Sequence, residues 1–344
     1  SKITQIFLEV SSAQSLIALP KAGLHNWATL RLNEENVYGS DGGRVMAEVM
    51  LENDRLRLVV DPQQGVNVLG FFVRREQAWL TVMPDVRDGK LELKASSFVL
   101  VPYSNRIEKG HFTFQGHPYQ LANAERHASH GDVRGRAWQV DQVNGTAINC
   151  SFDSRSYADA NWPWPFTATL EYSLQENTLF SRLTVTNEGR SAMPAGVGWH
   201  PYYNRTLTRP GEPVLLHFQA PLVYPDANDN CIPSGPVQPI APNQDFATER
   251  ELMPENFIDA CFYGYAGNGA ITWPASKVKL AYTCSPTCTH LIIFNPAKPY
   301  FAVEPVTNAN NGVNLYAQGD PTSGIQVLAP GETLAATFAI DVQE

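Results

Sequence analysis

Basic charge is scarce. The 344 residues carry 25 Lys and Arg against 34 Asp and Glu, a formal net charge of -9, and no basic tract offsets the deficit. Such a chain repels phosphate backbones and anionic lipid, which argues against nucleic acid or a membrane surface as partner. Long apolar runs are also missing, since no uncharged run that is apolar throughout approaches the roughly 18 residues of a membrane-spanning helix. The opening "SKITQIFLEVSSAQSLIALPKAG" has no basic segment leading into a sustained apolar one, as a secretory leader would. The expectation is a soluble, cytoplasmic protein. Cysteines number only five, an odd count spread thinly, which suits buried thiols in a reducing compartment better than a disulfide framework. The nearest approach to a metal motif is Cys284, Cys288 and His290 in "CSPTCTH". Its spacing is irregular and no second Cys/His pair lies nearby, so no metal is expected.

Proline and glycine are abundant, at 25 and 24, and they interrupt most windows long enough for a helix. What remains reads as strands. Leu56, Leu58 and Val60 alternate with Arg55 and Arg57, Ala168 to Leu174 with Thr167, Thr169 and Glu171, and Leu179, Leu183 and Val185 with Arg182 and Thr184. A period of two is the mark of half-buried antiparallel strands. "GHFTFQGHPYQL" reads as a hairpin turning at Gln115 to Pro118, and "IQVLAPGETLAATFAI" as another turning at Pro330-Gly331. "GYAGNG", Gly264 to Gly269, lacks the strand and helix that a phosphate-cradling loop requires and reads as a hairpin turn. Residues 246 to 257 are the helical candidate. With no repeat, low-complexity block or linker, the simplest account is one all-β domain, a large antiparallel β-sandwich spanning 1–344, with residues 1–44 as an added lead-in.

Four polar constellations stand out in this apolar chain: "SNRIEKGHF" around Arg106, "ERHASHGDVRGRAW" around His127 and His130, "VGWHPYYN" around His200, and "FAVEPVTNANNGVN" around Glu304. Singly, each has a plain reading. Arg106 can be a surface charge, His130 a turn residue, His200 a satisfied core histidine and Glu304 a strand-end carboxylate.

In order, Asn-Arg-Ile, then His-Gly, then His-Pro-Tyr, then Glu-Pro on an all-β chain resembles the aldose 1-epimerase (galactose mutarotase) family over roughly residues 45 to 344. "NRIEKGHFTFQGHPYQL", "NWPWPFTATLEYSL" and "FIDACF" are similar to further segments of that family. The resemblance implies a β-supersandwich that binds a free sugar and exchanges its α and β anomers without metal or organic cofactor. It implies Glu304 as base and His200 as acid. Asn105, Arg106 and His130 would hold the substrate, and Asp259 would accept hydrogen bonds from hydroxyls. One departure concerns the family's Leu-His-Gly-Gly, where this chain has "SHGDV" with Asp132 in place of the second glycine.

Mutarotation needs one group to take the proton of the anomeric hydroxyl and another to protonate the ring oxygen. The apolar setting "YFAVEP" would raise the pKa of Glu304 toward that task. His200 must be charged when sugar binds, which requires a carboxylate or water nearby to hold the charge. On this reading the two side chains face each other across a pocket for one hexose ring. Arg126, Arg134 and Arg136 crowd the Asp132 loop; they can grip a phosphate, sulfonate or carboxylate, or pair with Glu125 and Asp132 as a solvated network. Trp162 and Trp164 can stack on a sugar or fill the core. Two other functions compete: a carbohydrate-binding or sensor protein without catalysis, and a sandwich glycoside hydrolase using Asp259 and Glu304. Neither the sugar nor the oligomeric state is legible.

Overall fold

A computed structural model describes residues 48–343; the lead-in expected over residues 1–44 lies outside them. The alternating segments become strands as expected. Leu56–Asp61, Phe166–Gln175 and Thr178–Asn187 are all strands, and the last two pair antiparallel from Phe166 opposite Asn187 to Gln175 opposite Thr178. Ala168, Leu170, Leu183 and Val185 are buried on one face of this pair, while Thr169 and Arg182 lie exposed on the other.

Two large antiparallel sheets build the molecule. A nine-stranded sheet runs from Gln139–Val143 at one edge, through Thr178–Asn187 and Thr333–Gln343, to Arg250–Glu251 at the other. An eight-stranded sheet has Ile258–Tyr263, His290–Asn295 and Tyr300–Val306 at its centre, with Gly198–Trp199 and Tyr202–Asn204 pairing onto the last. A four-stranded sheet, Val49–Glu52 to Ala78–Met83, and three two-stranded ribbons complete it. The large antiparallel β-sheet architecture expected from the sequence is what the chain adopts.

The pleat of the eight-stranded sheet decides where chemistry can occur. In Tyr300–Val306, Phe301 and Val303 point into the main hydrophobic core. Tyr300, Ala302, Glu304 and Val306 therefore occupy the opposite face. Glu304 stands across from Ile292, and Ile292 from Cys261, so these three share that face with Asp259, two residues before Cys261. Cys261, Ile292 and Val306 pack there with Phe98, Leu100 and Tyr224 in a smaller apolar cluster. Glu304 is thus set in an apolar layer of its own, beneath loops.

Three expectations from sequence are corrected. Residues 246–257 form no helix; the short strand Arg250–Glu251 pairs with Leu215–Phe218, and the Leu252 amide bonds to the Val214 carbonyl. Edge pairing outweighed the local pattern. The one α-helix among the described residues is Gly312–Ala317. The chain does turn at Pro330-Gly331, but Gln326–Leu328 pairs with Met193–Ala195, while Thr333–Gln343 enters the nine-stranded sheet. Likewise "GYAGNG" joins Ile258–Tyr263 of one sheet to Asn268–Trp273 of the other. Turn residues show that a chain reverses; they do not show that the flanking strands pair. The turn at Gln115 and Gly116 is a true hairpin, between His111–Phe114 and His117–Gln120.

Gly131 fixes the loop that carries His130. It adopts φ +71°, and an added Cβ would lie 1.9 Å from the Val101 carbonyl oxygen. Gly131→Ala is expected to cost more than about 2 kcal/mol in urea unfolding, from left-handed strain and backbone clash together. Gly116→Ala, at φ +79° with open space around it, should cost only about 1–2 kcal/mol.

Candidate functional site

Glu304 and His200 touch. His200 Nε2 lies 3.2 Å from Glu304 Oε1, with His200 6% and Glu304 2% exposed. They are neighbours on one wall, and the expectation of a hexose-wide gap between them is corrected. His200 follows the strand Gly198–Trp199, and its own amide bonds to the Phe98 carbonyl at 2.9 Å. Its ring is clamped by Phe98, stacked at 4.6 Å, and by Tyr202, tilted at 4.6 Å. Burial sets the electrostatics of both groups. It raises the Glu304 carboxyl well above the usual carboxylate range, Asp259 adding to the rise and Arg106 opposing it. It pushes His200 down to about 3, with Arg134 and Arg106 pushing the same way. The acidic side chain that the sequence required beside His200 is Glu304 itself, but burial disfavours the charged form of both groups, so the neutral carboxyl–imidazole form of the pair is the preferred one.

The other sequence candidates gather around this pair. His130 meets His200 edge to face at 5.1 Å, and its pKa is held well below normal by burial and by the neighbouring His200, Arg134 and Arg106. Asn105 and Arg106 come from a small ribbon in which Arg106–Glu108 pairs with His127–Ser129, and the His130 amide donates to the Asn105 carbonyl at 2.7 Å. Asn105 is held at φ +53° and His130 at φ +62°, left-handed positions at which the tight ribbon end turns. Arg106 forms no ion pair with any described residue, yet its field acts on Glu304, Asp259 and His200. Asp259 is half-buried, its pKa raised chiefly by desolvation.

Unpaired polar atoms concentrate here. Glu304 Oε2, His200 Nδ1, His130 Nδ1, Asn105 Oδ1 and Asn310 Oδ1 are buried without a hydrogen-bond partner in the protein. Each such atom costs about 1–3 kcal/mol unless something bonds to it. A cluster of them is what a site for a polyhydroxylated ligand requires.

Sequence reasoning missed several residues of the site. The run after Glu304 is a knot of asparagines: Asn308 accepts from the Ser104 amide at 3.1 Å, Asn311 donates its amide to the Arg106 carbonyl at 2.7 Å, and Asn310 bonds the Cys231 carbonyl at 2.9 Å. Cys231, at φ +61°, donates its thiol to Asp259 Oδ2 at 3.2 Å; burial pushes that thiol up to about 11. Repeated asparagine in "VTNANNG" was the visible signal for the first group. Nothing in the sequence linked Cys231 to Asp259. Cys231 and Cys284 are also only half-buried, unlike the three other thiols.

Other candidates fall elsewhere. Trp162 and Trp164 are core residues, packed with Tyr103, Phe112 and Tyr119. In the arginine-rich loop, Asp132 binds Arg136 Nη2 at 2.9 Å with both side chains largely buried, and Arg136 also reaches the exposed Asp159 at 2.8 Å, so Arg136 takes the ion-pair alternative, with Asp159 in place of Glu125 as its second acid. A surface depression of about 420 Å³ lined by Glu108, Lys109, His111, Asn311, Asn314 and Gln318 adjoins the Arg106 ribbon but contains neither Glu304 nor His200.

Comparison with known proteins identifies the family and the fold. Residues 48–341 match the model of the aldose 1-epimerase family. The uncharacterised Escherichia coli K12 protein YphB is 27% identical over 307 residues, a match covering 85% of this chain and 98% of YphB. Two crystal structures share the fold. A candidate aldose 1-epimerase of Escherichia coli K12 has a TM-score of 0.74 at 23% identity, covering 87% of this chain and 99% of that one. A galactose mutarotase-like protein of Lactobacillus casei has a TM-score of 0.71 at 16% identity, covering 86% and 100%. With a family model matched along nearly all the described residues, the chain belongs to the aldose 1-epimerase family.

Proposed function

We propose that the protein is a mutarotase that interconverts the α and β anomers of a free aldose through the His200–Glu304 pair. The observation that carries this reading is their 3.2 Å contact in a buried setting, with Glu304 Oε2 unpaired. The two oxygens that must exchange protons, the anomeric hydroxyl and the ring oxygen, are bonded to the same carbon. An acid and a base that serve them must therefore stand side by side.

One proton in the pair suffices. Written as carboxylate and imidazolium, Glu304 takes the proton of the C1 hydroxyl while His200 Nε2 gives one to the ring oxygen, and the bond from C1 to that oxygen breaks. The products are the open-chain aldehyde, a neutral carboxylic acid and a neutral imidazole. Burial favours that neutral pair, since it raises Glu304 and lowers His200. The same burial makes the carboxylate–imidazolium form the less favoured arrangement of the proton before the sugar reacts, so ring opening starts from the minor form and ends in the favoured one. After rotation about the C1–C2 bond, closure runs the transfers backward on the other face. Asn105, Arg106, His130 and Asp259 hold the remaining hydroxyls in this scheme, their unpaired or half-exposed polar atoms supplying donors and acceptors. Five free thiols suit the reducing cytoplasm expected for the enzyme.

The glycoside hydrolase alternative needs Asp259 and Glu304 to work as a pair. Their nearest polar partners are Cys231 and His200 respectively, which favours the mutarotase.

Glu304→Gln is expected to slow anomer exchange by about 10²–10⁴-fold, as read by polarimetry on freshly dissolved α-aldoses, with His200→Asn similarly impaired. Near-normal exchange in either variant would remove that residue from the chemistry. The pair has both an acid and a base only while it holds one proton. Activity should accordingly fall as pH rises through the elevated pKa of Glu304, and on the acid side only near pH 3, where His200 gains the second proton. In thermal unfolding above neutral pH, Glu304→Gln should melt higher than the wild type: a folded-state carboxyl pKa raised above the unfolded value loses stability as pH rises, and the amide does not titrate. An unchanged melting temperature across that range would contradict the burial cost assigned to Glu304.

A further inference from the structure

Arg134 takes no part in the proton transfers or the hydroxyl contacts above, yet it is held at the edge of the same site. Its backbone is fixed: its carbonyl accepts from Asn67 Nδ2 at 3.0 Å, and Gly65 packs so closely that a Cβ there would meet that carbonyl oxygen at 2.5 Å. The residue is exposed as a whole, but its guanidinium carbon lies 5.5 Å over the Phe98 ring, the ring that stacks on His200. Desolvation there lowers its pKa, and it acts on both His200 and His130 more strongly than Arg106 does.

The acid nearest to it in sequence is committed elsewhere. Asp132 Oδ1 binds Arg136 and Asp132 Oδ2 accepts from the Asn161 amide at 2.7 Å. Arg134 forms no ion pair with any described residue. A guanidinium without a counter-ion, one ring away from the imidazole that protonates the ring oxygen, calls for an anion from the ligand.

We propose that Arg134 is a specificity residue that binds an oxyanion carried on C6 of the aldose. This rests on the mutarotase reading, which places His200 at the ring oxygen and Glu304 at the C1 hydroxyl. The ring oxygen is bonded to C1 and C5. With Glu304 on the C1 side, the substituent that extends past His200 toward Phe98 and Arg134 is the one on C5, which is C6. A carboxylate or phosphate there offers the paired oxygens that a guanidinium fork engages. A neutral hexose leaves the arginine unpaired, and discrimination follows from that difference.

The test compares glucose and galactose with their uronic acids and 6-phosphates on the wild type, Arg134→Ala and Arg134→Lys. NMR exchange rates are taken over each sugar's own buffer background. In the wild type, kcat/KM for at least one class of anion should exceed that of the parent hexose by about tenfold or more, the scale of a charge-assisted hydrogen bond. Arg134→Ala should bring that ratio to about one, Arg134→Lys should restore part of it, and added salt should weaken it. Which anion gains, carboxylate or phosphate, identifies the group. A wild-type ratio of one or less for both anions overturns the proposal, as does an alanine variant that slows neutral and anionic sugars equally. If no sugar is accelerated, calorimetric titration of the same ligands separates the two claims: an Arg134-dependent preference for the anions sustains the anion site while refuting the mutarotase, and no preference refutes the site itself.

Discussion

A carboxyl and an imidazole in contact inside an apolar layer are the constraint on which this molecule turns. Neither group is comfortable charged there: burial raises Glu304 and lowers His200. Together they tolerate one proton, because either arrangement of it leaves the pair neutral overall. This is a costly way to bury two side chains, and it makes sense where a proton must change hands. The unpaired Glu304 Oε2 and His200 Nδ1 are part of the same cost.

The rest of the fold holds that pair still. Strand alternation in Tyr300–Val306 gives Phe301 and Val303 to the main core and turns Glu304 to the opposite face. The loops above are tied by backbone and asparagine hydrogen bonds in addition to apolar contact: Thr307 to Val197, Asn308 to Ser104, Asn311 to Arg106 and Asn310 to Cys231. Polar ties suit loops that must be rigid without filling the space a ligand needs. Gly131 and the left-handed Asn105 and His130 serve the same purpose on the other flank, allowing the His130 amide to reach the Asn105 carbonyl.

Charge around the pair is divided. Asp132 and Arg136 neutralise one another in a largely buried contact and leave their loop well anchored. Neither Arg106 nor Arg134 forms an ion pair with a described residue; Arg106 acts on the Asp259 and Glu304 carboxyls, while Arg134 has no acid beside it, on the side where His200 and His130 lie. The sequence shows an arginine-rich loop with acids in it and offers both interpretations at once. The structure splits them, giving the network to Arg136 and leaving Arg134 over Phe98.

Much of the fold was legible, because period-two burial is a property of the backbone that shows in any window: Leu56–Asp61, Phe166–Gln175 and Thr178–Asn187 needed no tertiary knowledge. Partnership was not legible. The strands around Pro330-Gly331 and around "GYAGNG" look like hairpins yet enter different sheets, and residues 246–257 become an edge strand and loops because Leu215–Phe218 lies open to pairing. For the site, the ordered motifs picked out Asn105, Arg106, His130, His200, Asp259 and Glu304 as candidates. The sequence by itself thus determined which side chains of suitable chemistry are present and that they sit on strands and turns. Only the tertiary structure decided that His200 and Glu304 touch, that Cys231 contacts Asp259 and that Arg134 stands without an acid. Those facts depend on distances between residues far apart in the chain, and sheet pairing and burial set such distances.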